Sequence, residues 1–131
     1  MKNLAAILSA GSLAACGLVP APASTPPAPQ GAAVGFGQSV QIGDLTATPI
    51  AVVEDSRCPV NARCVWAGRL IVRTRIDGVA ASGRWRDIAE LHLGESYGTH
   101  GRIIALVSGE PGRTTDRPTR REDYRFTYEA R

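Results

Sequence analysis

The sequence predicts an all-β protein, specifically a small antiparallel β-sandwich, with a partly open barrel as the alternative architecture. Three observations support this prediction. Six or seven short alternating or apolar segments follow one another at regular spacing after residue 34. The same part of the chain lacks the 3.6-residue apolar period of a helix, and glycines and prolines separate its segments.

The composition limits the chain to one small domain with an accessory segment. It has 131 residues, of which 44% are apolar. The net charge of +3 falls to +2 once Lys2 is removed with the leader, which is too small an excess to indicate nucleic-acid binding. Only 5% of the residues are aromatic, so the base-stacking platform of a single-strand binder is not expected either.

Residues 1–15 are predicted to be a secretory signal peptide. The positive charge of Lys2 precedes a short apolar run, and small residues follow it. A membrane-spanning helix needs about 20 apolar residues, and this run is shorter and leads into proline-rich sequence. We therefore expect it to be removed.

The motif Leu-Ala-Ala-Cys at residues 13–16 resembles the lipobox of bacterial lipoproteins. The resemblance implies that Cys16 becomes the N-terminus and that its thiol is diacylglycerated. It also implies a membrane partner through the lipid, and Gly17 after the cysteine implies the outer membrane, facing the periplasm. The alternative is an ordinary secretory leader in which Cys16 is a free or disulfide-paired cysteine.

The other two cysteines, Cys58 and Cys64, are predicted to form a disulfide. Lipidation of Cys16 leaves them as a pair, and secretion places them in an oxidising compartment. Closing so short a loop is worth about 2 kcal/mol in the chain-entropy model. A redox or metal-binding pair is the rival interpretation, but the spacing fits neither thioredoxin-type motifs nor usual zinc sites.

Residues 16–33 carry the lipidation site and a linker rich in proline and alanine. Proline lacks an amide donor, so this segment is predicted to be an extended tether rather than a helix or central strand. Its reach is up to roughly 50 Å at about 3.1 Å per residue. A proline-rich recognition motif is the competing interpretation. The sandwich domain is then residues 34–131.

The first two strands are predicted at residues 36–42 and 45–53. Val40 and Ile42 face inward in the first. One face of the second is predicted to consist of β-branched residues: Thr46, Thr48, Ile50 and Val52. Pro49 on the opposite face indicates an edge position or a bulge.

The clearest strand is predicted at residues 69–76. Its inward face consists of Leu70, Val72, Thr74 and Ile76. Asp77-Gly78 predicts a type I′ hairpin turn, because glycine accepts a positive φ, and a return strand should follow. Residues 79–86 fit a strand weakly.

Three features complete the predicted sandwich. A strand at residues 88–93 has Ala89, Leu91 and Leu93 inward, and glycine-rich loops follow it. Residues 102–107 are apolar on both faces, which is typical of the middle of a sheet. Residues 108–123 are predicted to cross between sheets, before a closing strand with inward aromatic residues: Tyr124, Phe126 and Tyr128.

Residues 54–68, here called the cysteine loop, contain the candidate site. Trp66 follows Cys64 by two residues, which predicts packing of the indole against the disulfide. Gly68 is predicted to turn the chain into the next strand. Two interpretations of the charged residues stay open: Asp55, Arg57 and Arg63 lock the loop by ion pairs, or the arginines bind a carboxylate or phosphate.

The patterns Asp-Ser-Arg-Cys-Pro at residues 55–59 and Cys-Val-Trp-Ala-Gly at residues 64–68 resemble the signature of a group of small, uncharacterised bacterial lipoproteins and secreted domains. The resemblance implies a β-rich extracytoplasmic domain. It supplies no catalytic residue.

These features predict a lipid-anchored cell-envelope lipoprotein that acts as a noncatalytic binding or structural module, with an envelope protein or wall component as its partner. No cofactor or metal is expected, although His92, His100 and the cysteines are an alternative ligand set. The chain has no nucleophile elbow, zinc-protease motif or phosphate loop. Two other functions stay open: a periplasmic enzyme whose site no motif reveals, and a binder of small anions through Arg57 and Arg63.

Overall fold

The computed structural model describes residues 17, 19–21 and 24–131, and two antiparallel sheets pack against each other there. The predicted β-sandwich is confirmed. Cys16 and the signal peptide lie outside the described residues, so the predictions for them stay predictions. No helix in the described part has the length and apolar character that a membrane crossing requires.

One sheet has four strands in the order β1-β2-β3-β4, and the other has three in the order β5-β6-β7. The strands of the first sheet are β1 Val40–Ile42, β2 Leu45–Asp55, β3 Leu70–Ala80 and β4 Gly83–His92. Those of the second are β5 Ser96–Thr99, β6 Arg102–Glu110 and β7 Arg125–Ala130. A short 3-10 helix, Arg121–Asp123, precedes β7.

The core between the sheets contains the side chains of β1, β3 and β7 that strand alternation predicted to face inward. The inward residues of β3 are all fully buried, as are Val40 and Ile42 of β1. In β7, Phe126 and Tyr128 are fully buried too. The Tyr128 hydroxyl lies 3.0 Å from Thr74 Oγ1 of the facing sheet, which satisfies both polar groups within the core. Burial raises the pKa of the Tyr128 phenol.

The four β-branched residues predicted to share one face of β2 do not have a common environment. Leu45 and Ala47 belong to the core and Thr46 is only partly buried, but Thr48 is 3% exposed and Val52 packs against the core. The register with β3 then shifts between Pro49 and Ala51, and again between Val52 and Glu54. The bulge inferred from Pro49 is therefore present, and it breaks the strict alternation on which the prediction relied.

The predicted hairpin turn at Asp77-Gly78 is also wrong. The ladder between β3 and β4 continues past both residues to the pair Ala80 and Gly83. Gly78 lies opposite Trp85 in this ladder, and a Cβ on Gly78 would come within 2.3 Å of the indole. The glycine leaves room for the tryptophan across the strands, which is a packing role and not a turn.

Three connections differ from the prediction. Residues 83–92 form one strand, β4, and the glycine-rich segment contains a short strand that was not predicted, β5. The long polar connection after β6 does not cross between the sheets, because it joins the neighbours β6 and β7 of one sheet. The central position predicted for the doubly apolar strand is confirmed, since β6 lies between β5 and β7.

Gly78→Ala should destabilise the domain by about 1 to 3 kcal/mol, because the new methyl group overlaps the Trp85 indole. Urea unfolding followed by circular dichroism measures the change. Gly98→Ala is the matched control, since the nearest atom to its Cβ, the Arg102 carbonyl oxygen, is 4.0 Å away. Equal unfolding midpoints for the two variants would contradict the packing role.

Candidate binding surface on the cysteine loop

The cysteine loop connects β2 to β3 and is closed at its base by covalent and hydrogen bonds. Cys58 and Cys64 form the predicted disulfide, with 5.8 Å between their Cα atoms. The Ser56 amide donates to the Arg69 carbonyl at 2.9 Å, and the Cys58 amide donates to the Ala67 carbonyl at 3.0 Å. These bonds extend the pairing of β2 and β3 into the loop.

Gly68 makes this closure sterically feasible. Its φ of +68° lies in the left-handed region, where side chains are strained. A Cβ at this position would lie 1.8 Å from the Ser56 carbonyl oxygen. The two limbs of the loop approach each other too closely for any other residue, which accounts for the predicted turn at Gly68.

Asp55 and Arg57 form an ion pair at the base of the loop. Arg57 Nε donates to Asp55 Oδ1 and Arg57 Nη2 donates to Asp55 Oδ2, each at 2.8 Å. Only 8% of the Asp55 side chain and 16% of the Arg57 side chain are exposed. Tyr124, which directly precedes β7, donates its hydroxyl to Asp55 Oδ2 at 2.8 Å.

The electrostatic balance at Asp55 favours the charged carboxylate. Burial by itself raises the pKa of Asp55, but hydrogen bonds from Arg57 and Tyr124 outweigh that effect, so the pKa lies below its usual range. The pKa of the Arg57 guanidinium is raised, mainly by the hydrogen bonds to Asp55. Both groups are therefore ionised at neutral pH.

The remaining donors of Arg57 tie the cysteine loop to the facing sheet. Arg57 Nη1 donates to the Gly109 carbonyl of β6, and Nη2 donates to the Pro111 carbonyl at 3.1 Å. In addition, Arg113 Nη1 donates a hydrogen bond to the Arg57 carbonyl at 2.8 Å. Since most N–H groups of Arg57 are used in this way, its guanidinium is poorly available to a ligand.

A second set of bonds joins the loop to the β6–β7 connection, residues 111–124. The Val60 amide donates to the Arg113 carbonyl at 2.8 Å. Asn61 Nδ2 donates to Thr115 Oγ1 at 2.9 Å, and the Thr115 amide donates to Asn61 Oδ1 at 3.1 Å. The loop is thus held at several points along its length, and the contacts are those that the locking interpretation of Asp55 and Arg57 requires.

The tip of the loop is apolar and exposed, which contradicts the predicted packing of Trp66. The Trp66 side chain is 82% exposed, and its neighbour Val65 is 95% exposed. Val60, on the other limb, is 73% exposed. The prediction assumed extended chain after Cys64, but residues 65 and 66 lie in a bend, and both side chains are exposed.

Arg63 lies beside this tip and is exposed. Within the described residues its guanidinium has no hydrogen-bond or ion-pair partner, unlike that of Arg57. The structure therefore separates the two arginines that the sequence grouped together. Arg57 belongs to the base of the loop, and Arg63 belongs to its accessible surface.

The two histidines lie in ordinary surface contacts. The His100 ring stacks on the Trp85 indole with 3.8 Å between ring centroids, and His92 Nδ1 lies 3.7 Å from Glu95. Among residues 17, 19–21 and 24–131, no cluster of three or more His, Cys, Asp or Glu residues forms a metal-binding group. A hollow of about 510 Å³ beside Trp85 is lined by neither histidine and not by Asp55.

No protein-family model, curated protein sequence or solved structure matches this chain. The resemblance of the cysteine loop to bacterial lipoproteins therefore stays a prediction.

Asp55→Asn should remove part of the pH dependence of stability. Because the folded-state pKa of Asp55 is lowered, its stabilisation is present above the unfolded pKa and is lost as pH falls through the folded pKa. We expect the wild type to exceed the variant in unfolding free energy at pH 7, with the difference shrinking below about pH 5. Urea titrations across this range measure it, with the exposed Asp116→Asn as control. A difference that stays constant with pH would refute the assignment.

The double variant Cys58→Ser, Cys64→Ser should lose about 2 kcal/mol of unfolding free energy, because the closed loop no longer restricts the unfolded chain. The hydrogen bonds to the β6–β7 connection remain, so the fold should persist. Urea unfolding measures the loss. In a Cys16→Ala background, thiol titration of the unfolded, unreduced protein should find no free thiol, and one or two free thiols would disprove the pairing.

Proposed function

We propose that this chain is a lipid-anchored cell-envelope lipoprotein whose sandwich is a noncatalytic binding module, with the exposed tip of the cysteine loop as its binding surface. One observation carries the proposal. Trp66 and Val65 are almost fully exposed on a loop whose base is fixed by a disulfide, a buried ion pair and hydrogen bonds to the facing sheet.

An exposed tryptophan on a fixed loop is a favourable arrangement for binding another molecule. Tryptophan is enriched among the residues that dominate binding energy, because it offers a large contact area with few rotatable bonds. A loop that is already ordered loses little conformational entropy when it binds. A large exposed aromatic side chain on such a loop is therefore well suited to contact another surface.

The same geometry weakens the two other functions that the sequence left open. An anion site would need Arg57, whose donors are already used by Asp55 and two carbonyl groups. The enzyme hypothesis predicts a deep hollow lined by Asp55, His92 or His100, and none of these three side chains lines the hollow beside Trp85. We propose neither.

The anchor and the location come from the sequence. The lipobox-like motif at residues 13–16 supports lipidation of Cys16, and Gly17 supports the outer membrane facing the periplasm. The proline-rich residues before Ala28 support an extended spacer between the lipid and the domain, and Ala28 itself is already hydrogen-bonded to Ser39 and Gln41 of the domain.

The anchor is tested by labelling cells with radioactive palmitate. The wild-type chain should incorporate the label and fractionate with the membrane, whereas Cys16→Ala should do neither. Equal labelling of both chains would overturn the anchor.

The binding surface is tested separately with the non-lipidated Cys16→Ala chain. It should co-sediment with purified cell envelopes, and Trp66→Ser and Val65→Ser should each reduce the bound fraction several-fold. Val79→Ser is the matched control, because Val79 is 69% exposed but lies on the β3–β4 hairpin at the opposite end of β3. Equal loss in the Val65 and Val79 variants would refute a role for the loop tip.

A further inference from the structure

The net positive charge of the mature chain is concentrated at one end of the sandwich. We call this the loop end, residues 54–69 and 111–125, which includes the cysteine loop and the β6–β7 connection. Residues 54–69 contain three arginines and two carboxylates, and residues 111–125 contain five arginines and three carboxylates. Glu110, which lies close enough to act on Arg57, reduces this excess from three to two positive charges. The loop end thus accounts for the whole +2 of the mature chain, and the rest of the domain has no net charge.

Several of these arginines are not neutralised by carboxylates. Asp55, Glu54 and Asp123 pair with Arg57, Arg69 and Arg120, respectively. The arginines at the loop end with no carboxylate within 4.0 Å, considering the described residues, are Arg63, Arg113, Arg117, Arg121 and Arg125. Two of them, Arg63 and Arg117, are exposed and make no hydrogen bond there. The loop end thus combines an exposed apolar tip with two accessible arginines that have no carboxylate partner, next to the exposed Asp116.

The direction of the chain brings the tether toward this end. Ala28 pairs with Val40 in parallel, and β1 runs antiparallel to β2. Followed backward from Ala28 to Ser24, the chain therefore runs in the direction of β2, which ends at the cysteine loop. Ser24 is eight residue steps from Cys16, and this stretch would span roughly 25 Å if extended. A lipid on Cys16 would keep the loop end within reach of the membrane.

The apolar tip is small for a protein partner. An aromatic side chain buries at most about 250 Å², and one indole with two valines falls short of the roughly 800 Å² that each partner contributes to a standard interface. An indole at the tip of a basic surface instead fits the boundary between lipid headgroups and acyl chains, where tryptophan is enriched. Nearby arginines add attraction to anionic headgroups.

We infer that the loop end docks on an anionic phospholipid surface, with Trp66, Val65 and Val60 entering the headgroup region and Arg63 and Arg117 contacting the surface charge. The inference rests on the proposed binding role of the loop tip and names its partner. The diacylglyceryl anchor and the basic apolar patch are two membrane signals, which together hold a protein more firmly than either alone. Docking would also hold the sandwich in one orientation above the membrane.

The test uses the non-lipidated Cys16→Ala chain, so that binding does not depend on the anchor. We expect it to co-sediment with vesicles of phosphatidylcholine and phosphatidylglycerol and to bind pure phosphatidylcholine vesicles weakly. Raising the salt from about 0.05 M to about 0.5 M should release it, because exposed charges are then screened. Arg63→Gln and Arg117→Gln should each weaken binding about fivefold, while Arg84→Gln, at an exposed site on the β3–β4 hairpin, should not.

Tryptophan fluorescence gives a second readout. Anionic vesicles should shift the emission of the Cys16→Ala chain to shorter wavelength as Trp66 leaves water, and the shift should vanish in Trp66→Ser, which retains Trp85. Trp66 is exposed, so this variant should fold, and an unchanged urea midpoint verifies that it does.

Equal affinity for neutral and anionic vesicles would overturn the inference, and so would vesicle binding that survives Trp66→Ser. Binding to purified peptidoglycan or envelope protein, with no binding to vesicles, would overturn it as well. In that last case the proposed binding role stands, because the envelope co-sedimentation remains. If the envelopes also fail to bind the chain, the proposed binding role fails together with the inference.

Discussion

The ion pair between Asp55 and Arg57 joins the two sheets at the loop end of the sandwich. Asp55 is the last residue of β2, yet it accepts a hydrogen bond from Tyr124, which leads into β7 of the other sheet. Arg57 lies on the cysteine loop and donates to the Gly109 carbonyl of β6. Removing one member would leave a buried charge without its partner, at a cost of about 3 kcal/mol. The two residues therefore act as one structural unit.

This pair explains why the cysteine loop can be both long and ordered. The disulfide alone closes only the segment from Cys58 to Cys64, and the rest of the loop needs other restraints. Gly68 lets the two limbs approach, and Arg57 and Asn61 fasten the loop to the β6–β7 connection. The buried ion pair thus lies at the base of the loop, and the exposed apolar side chains lie beyond it. The proposed binding surface follows from this arrangement.

Strand alternation predicted most of the fold, because one face of each well-formed strand must be buried. It identified the core residues of β3 and β7 and the central position of β6. It failed on β2, where two bulges shift the register and a β-branched residue fits either face. It failed again at Gly78, because a glycine that makes room for an indole and one that makes a turn are identical in sequence.

For the candidate site, the sequence by itself predicted the disulfide and the turn at Gly68, and it placed opposite charges next to each other without deciding whether they pair. These are local properties, set by chain spacing, compartment and backbone sterics. Only the tertiary structure decided that the N–H donors of Arg57 are occupied at the base of the loop while Arg63 is accessible. It also decided that the Trp66 side chain is exposed. Those outcomes depend on β6 and the β6–β7 connection, which lie some fifty residues farther along the chain. Contacts at that separation leave no local pattern, so no reading of the loop alone reveals them.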